Sequence, residues 1–298
     1  MPTSAREFAL DPAAFGLPTR EELVALRIWD LHYHGLIAAG TGDPIAEHEA
    51  LRFYQDRFGI ERSFALDVGG TRLDPLQELP VDAAIRQVLA AQRDRLSGMV
   101  RIDPSDPERT LAKMEAWIAR GPCVGIKYAA VGSKAPLRCD HPNNDAIIRR
   151  AAELGAVVYI HTWLKVGGER PRIGGGNLEA ESTPFDVVTL SRRHPGVPLV
   201  CGHSGGDWEI GIRAIRPYPD ILLEFAGSDP HSGAVDLAVR ELGVERIVWG
   251  GHGASRSYAT ELAKVFDADL TFAQRQLILG GNLRRVWARM FRSRGYRL

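Results

Sequence analysis

The chain is 298 residues long, enough for one large α/β barrel or two smaller domains. Its 45% hydrophobic and 25% charged content is that of an ordinary globular protein, and 37 basic residues balance 37 acidic ones, so no net field recruits nucleic acid or an anionic membrane. No apolar run approaches the ~20 residues that span a bilayer, Met1–Thr19 does not read as a signal peptide, and three scattered cysteines suit a reducing cytoplasm, Cys123 and Cys201 as buried strand thiols.

After a polar lead-in, Arg27–His32 is the first predicted strand, Pro44–Phe58 a helix and Ser63–Val68 a second strand. Asp82 is read as the cap of a helix whose stripe is Ile85, Val88, Leu89 and Gln92. Leu96–Ile102 follows as a strand, and Asp106-Pro107 starts a helix with Leu111, Met114 and Ile118 on one face. Cys123–Tyr128 and Ala156–His161 are strands on either side of the helix Asn143–Leu154, the latter strand apolar enough to be buried on both faces. The glycine-rich stretch Gly167–Asn177 suits a cover over a pocket, and Thr183-Pro184 begins another helix. Strands over Pro198–His203, Ile221–Ala226 and Arg246–Gly251 alternate with helices near Asp207–Arg216 and Ser232–Leu242. Helices over Ser255–Phe266, Thr271–Leu279 and Asn282–Phe291 close the chain. Eight strands alternating with helices, with no linker, predict a single (β/α)8 barrel domain, the TIM barrel, over residues 1–298.

Histidines gather at the predicted strand ends. His32 and His34 stand two apart at the end of the first, so in an extended chain both project from one face. His161 ends the fifth strand, His203 the sixth, and His252 follows the eighth in Val248-Trp-Gly-Gly-His252-Gly. Barrel active sites form at this end, so five of the nine histidines fall where a metal site would be. His48, His141 and His194 are read as structural and His231 as a minor candidate.

Asp30-Leu-His-Tyr-His34, the histidine ending strand five, Gly-His-Ser-Gly-Gly ending strand six and Gly-Gly-Asn282-Leu together resemble the amidohydrolase superfamily. Within it the chain is most similar to the amidohydrolase-2 branch, which includes metal-dependent hydrolases and relatives of aminocarboxymuconate-semialdehyde decarboxylase. The resemblance implies one divalent metal held by His32, His34, His161 and a strand-eight residue, with His203 touching the reacting groups. Zinc is the expected ion, with manganese, iron or copper as alternatives.

The family ends strand eight with an aspartate that meets the metal and takes a proton from water. Here that position is His252. A neutral imidazole leaves more positive charge on the ion than a carboxylate does; His252 could be a ligand, a base, or a shift toward redox metals. Lys127, at the end of strand four, is a candidate for a substrate carboxylate, for a bridging carbamate, or for an internal ion pair. Arg101 is a second anion candidate and Trp163 a surface for a planar substrate, whereas Asp207, Arg256 and Tyr258 are read as caps or solvent-facing groups.

The first expectation is therefore hydrolysis of an amide, lactone or ester of a small organic acid, with His203 and His252 moving protons. Non-oxidative decarboxylation of a planar unsaturated or aromatic acid at the same metal is the nearest alternative, followed by a redox enzyme and a non-catalytic binding protein. A small-molecule substrate is the expected partner, a homodimer is compatible with the sequence, and neither nucleic acid nor membrane is expected.

Overall fold

Eight parallel strands lie side by side in chain order: β1 (Ile28–Tyr33), β2 (Ile60–Val68), β3 (Leu96–Arg101), β4 (Cys123–Tyr128), β5 (Val157–Leu164), β6 (Leu199–Gly206), β7 (Ile221–Glu224) and β8 (Ile247–Val248). This is a computed structural model, and it describes residues 17–36, 43–129, 135–165, 177–227, 232–253 and 255–298. His231 and all but Asn177 of the glycine-rich stretch lie outside the described residues. Helix α1 (Arg20–Ala25) precedes β1; α2 (Pro44–Arg57), α3 (Asp82–Ala91), α4 (Pro107–Met114), α5 (Asn144–Leu154), α6 (Pro184–Arg193), α7 (Trp208–Ile215) and α8 (Ala234–Leu242) lie between strands; and α9 (Tyr258–Phe266) follows β8. After them come α10 (Phe272–Gln276), α11 (Asn282–Val286) and α12 (Ala288–Ser293). Among the described residues no helix is long and apolar enough to cross a membrane, and the three cysteines are free and buried.

The helix starts follow local chemistry. Asp106 accepts from the Arg109 N–H at 3.0 Å and Pro107 occupies the first turn, where its missing N–H costs nothing. Thr183 and Asp186 form a reciprocal capping box at α6. Asp82 does not cap: it is already the first residue of α3, and its Oδ2 accepts from the Leu79 N–H at 2.9 Å. The lead-in holds a helix that composition did not announce, α1, started by a Thr19–Glu22 capping box.

The last two strands are shorter than predicted, for a definite reason. β7 ends at Glu224 because the Ala226 N–H turns back to Glu224 Oε1 at 2.5 Å. Beyond Val248 the chain leaves β7 and bonds to β1 instead. Leu31 N–H donates to Trp249 O at 3.2 Å, and His34 N–H to Gly253 O at 2.5 Å. Between them the buried Asp30 Oδ1 takes the Gly251 N–H at 2.6 Å and the His32 N–H at 2.9 Å. A side chain thus stands in for main chain where the first and last strands meet. Tyr258 is no surface cap, since it is buried and donates to Asp30 Oδ2 at 3.1 Å.

The opposite end of the barrel is closed by apolar packing and one amide. Trp29, Phe64 and Phe291 meet with ring centroids 5.2–5.7 Å apart. Buried Asn282 donates through Nδ2 to Val244 O at 2.7 Å and to Ile247 O at 2.8 Å, anchoring α11 under β8. Asn282→Ala leaves both carbonyls without that donor. Urea denaturation should show a loss of about 2–4 kcal/mol, while metal content, governed at the far end of the barrel, stays unchanged.

Candidate metal centre

Five imidazoles converge at the C-terminal strand ends. His32, His34 and His252 form the tightest group, each offering a nitrogen within 4.8 Å of the others. His32 Nε2 and His34 Nε2 are 2.9 Å apart. The His203 ring centroid lies 4.8 Å from that of His32 and 5.3 Å from that of His252. His161 stands one ring further out, with its centroid 4.5 Å from that of His203 and its Nε2 3.0 Å from Glu181 Oε1.

His203 and His252 have left-handed backbones, with φ of 69° and 46°. Such angles cost a side-chain-bearing residue roughly 1–2 kcal/mol, and they occur where the chain leaves β6 and β8.

What fixes the rings lies behind them. The Tyr159 hydroxyl donates to Glu224 Oε2 at 2.6 Å and lies 2.6 Å from His32 Nδ1. With its one proton committed to Glu224, the hydroxyl oxygen can only accept from His32, so Nδ1 carries the proton. The Nε2 lone pair then faces the cluster, the tautomer a metal ligand needs. His203 is held similarly, its Nδ1 donating to Ala226 O at 2.6 Å and its own N–H donating to Glu224 Oε2 at 3.0 Å. His252 Nδ1 meets the Ser255 hydroxyl. The chain approaches closely here: a Cβ on Gly202 would fall 2.2 Å from the Tyr159 hydroxyl, and one on Gly250 2.4 Å from Glu224 Oε1.

The electrostatics follow from burial. Desolvation, then neighbouring His252 and Lys127, push His32 well below the ordinary histidine range. His203 is depressed by burial and then by His161, and His252 is pushed to about 2 by burial and then by His34. These imidazoles are neutral lone-pair donors. Burial raises Glu224, against the pull of Tyr159 and two backbone N–H donors, and raises Asp30 to about 7. Neutral nitrogens 2.9 Å apart can share one ion at the ~2.0–2.1 Å of a zinc–imidazole bond, so the donor set fits a divalent transition metal.

The other candidates are distributed unevenly. Lys127 is fully buried with Nζ 4.0 Å from the Tyr159 ring centroid, and its charge is felt by His32, His203 and His252. Arg101 pairs in register with Lys127 one strand further away and donates to Thr71 O at 3.4 Å. Trp163 is half-buried two residues past His161, its N–H donating to Ser182 O at 2.9 Å. Asp207 pairs with Lys165 at 3.3 Å and forms no cap. The sequence reading passed over Tyr159, Glu224 and Glu181. A carboxylate inside the apolar run Ile221-Leu-Leu-Glu224-Phe was the available signal for Glu224.

The amidohydrolase family profile matches residues 30–289, nearly the whole histidine-bearing barrel. The chain belongs to the amidohydrolase family. This amidohydrolase is similar in fold to 5-carboxyvanillate decarboxylase LigW from Sphingomonas paucimobilis, with 15% identity and a TM-score of 0.64, over 88% of this chain and 99% of that one. It is also similar to 2,6-dihydroxybenzoate decarboxylase from Rhizobium, with 16% identity and a TM-score of 0.64, over 88% and 98% of the two chains. A third is a dihydroxybenzoic acid decarboxylase from a Polaromonas species, solved with manganese and the inhibitor 2-nitroresorcinol, with 15% identity and a TM-score of 0.65, over 88% and 96%. No curated protein matches this amidohydrolase.

Two outcomes follow from this geometry. In the unfolded chain each imidazole takes up a proton near pH 6.5; folded His32, His203 and His252 do so only far lower. Below that pH the unfolded state binds more protons, so stability present above it is lost as the pH falls, by up to ~1.4 kcal/mol per pH unit for each histidine. Metal-free protein should melt progressively lower from pH 7 to pH 5, and His203→Asn should flatten that slope. Separately, Tyr159→Phe removes the group that sets the His32 tautomer and should weaken metal affinity by roughly 10–100-fold in a chelator competition. His252→Ala, which deletes a donor, should weaken it at least as much.

Proposed function

We propose that this amidohydrolase is a single barrel domain that decarboxylates a small planar acid, unsaturated or aromatic, using a divalent metal held among its histidines. The observation that carries this reading is His252. The position expected to supply a carboxylate base carries an imidazole that burial and His34 keep neutral, grouped with His32 and His34 as one of the residues that would hold the ion. An imidazole whose lone pair is committed to the ion is not free to take a proton from an attacking water, and base catalysis needs a free group with a pKa near the working pH. Loss of carbon dioxide makes no such demand. The substrate R–COO⁻ loses CO2 and keeps the bonding pair on the carbon left behind, which takes up one proton from solvent to give R–H; the net reaction consumes one H⁺ and adds no water to the product.

The charges on this chain suit an anionic substrate. Neutral imidazoles and the Lys127 cation occupy the cluster, while Asp30 and Glu224 are buried with their oxygens engaged behind it and Glu181 is bound to His161. His32, His34 and His252 would hold the ion, with His161 as a further donor reached past His203. The chemistry supplied by the ion when bound is fixed positive charge beside the reacting carbon. An all-imidazole set suits zinc better than manganese, which favours oxygen donors. Lys127 attracts the carboxylate through its charge, with Arg101 beside it, and Trp163 offers an aromatic face to a planar ring. The likeness in fold to decarboxylases of 5-carboxyvanillate and dihydroxybenzoates is in keeping with this reading.

The test is a panel of aromatic and unsaturated carboxylic acids given to zinc-reconstituted protein in deuterated water and, separately, in ¹⁸O-labelled water. Decarboxylation releases CO2, places one deuterium on the carbon that lost the carboxylate, and leaves no ¹⁸O in the organic product. Appearance of ¹⁸O in that product would instead make the protein a hydrolase of an amide, lactone or ester. Activity that survives complete removal of the metal would sink the reading altogether.

A further inference from the structure

A groove of about 370 Å³ lies between the C-terminal half of α2 and the loop leading into α9. Its lining includes the apolar Leu51, Tyr54 and Phe58 with the buried Tyr258, and its charged residues are Arg57, whose guanidinium lies 5.8 Å from the Phe58 ring centroid, and Arg256. Among the described residues no carboxylate lines it. Tyr54 is 48% exposed, a large ring left open to solvent at the groove's edge. The volume falls near the lower end of the ~300–1,000 Å³ of small-molecule sites, room for one ring and a short substituent.

The groove shares a wall with the metal centre. The Arg256 N–H donates to His252 O at 3.0 Å, and the Arg256 Nη2 reaches Gly227 O at 3.4 Å. Gly253, on the groove's lining, receives the His34 N–H through its carbonyl. The loop that carries His252 on one face therefore presents the groove on the other. α9 starts at the same place, and Ser257 makes no side-chain cap bond to it. The helix start adds partial positive charge to that of the two guanidiniums.

We infer that this groove is a binding site for a small planar carboxylate, separate from the histidine cluster and adjoining it. The ring of the ligand lies against Tyr54, Phe58 and Leu51, and its carboxylate meets Arg57 and Arg256. Guanidinium matches a carboxylate through two parallel N–H donors, and the aromatic wall rewards a flat ring over a saturated one. An inorganic anion satisfies the arginines but leaves the apolar wall uncovered. The site goes beyond the proposed decarboxylation, since it binds a carboxylate and does not transform it.

The experiment is calorimetric titration of the purified full chain with benzoate, once metal-loaded and once after chelation. Benzamide, cyclohexanecarboxylate and inorganic phosphate serve as comparison probes. Benzoate should bind with similar affinity in both forms, more tightly than each comparison probe and more weakly as salt is raised. Arg57→Gln and Arg256→Gln, both exposed positions, should each weaken it roughly tenfold or more, the worth of a charge-assisted hydrogen bond. Leu51→Trp, which fills the groove, should abolish it. Benzoate binding that requires the metal and ignores Arg57→Gln and Leu51→Trp belongs to the histidine cluster and overturns the inference. So does a complete lack of benzoate binding. Competition with the substrate would identify the ligand as part of the substrate, and its absence would identify a second molecule; either supports the site. Failure of the decarboxylase reading leaves this test intact, because it reads binding without turnover.

Discussion

The site depends on one buried carboxylate. Glu224 closes β7, and its oxygens receive the Tyr159 hydroxyl, the His203 N–H and the Ala226 N–H. Through Tyr159 it fixes which nitrogen of His32 carries the proton, and through the His203 N–H it helps hold a left-handed turn. A group this deep is costly to ionise, and its burial is offset only by the donors that converge on it. Glycine at 202 and 250 is what lets those donors come so close.

The arrangement is layered. Carboxylates form the back row, neutral imidazoles the front, with Lys127 among them. Imidazole orientation is set by the acids without spending a carboxylate on the cluster itself. His252 keeps a neutral imidazole in the front row just past β8. The depressed proton affinities of the three imidazoles follow from the same crowding of nitrogens in a dry space.

Much of the barrel was legible because its signals are local. Alternation of apolar runs with capped helices marked the strands, and Asp106 and Thr183 behaved as their side chains dictate. The histidines were legible by position, since strand ends in such a barrel share one mouth. Tyr159 was not, because an aromatic residue inside an apolar strand reads as core until its hydroxyl is seen to have partners. Glu181 and Tyr258 reach their partners from loop and helix positions that carry no periodic signal. The short β8 was also illegible: its pairing is taken over by Asp30, a long-range exchange that no window of sequence reveals.

That exchange has a consequence for how the barrel breathes. The first and last strands are joined by Leu31 N–H to Trp249 O, by His34 N–H to Gly253 O and by a carboxylate between them. The other neighbouring strands pair as parallel ladders, some of them bulged, whereas β1 and β8 are not paired as a ladder, so opening fluctuations should begin at this join. The histidine triad straddles it, with His32 and His34 on one side and His252 on the other. An ion held there would cross-link the two ends of the barrel and close the chain between His34 and His252 into one loop.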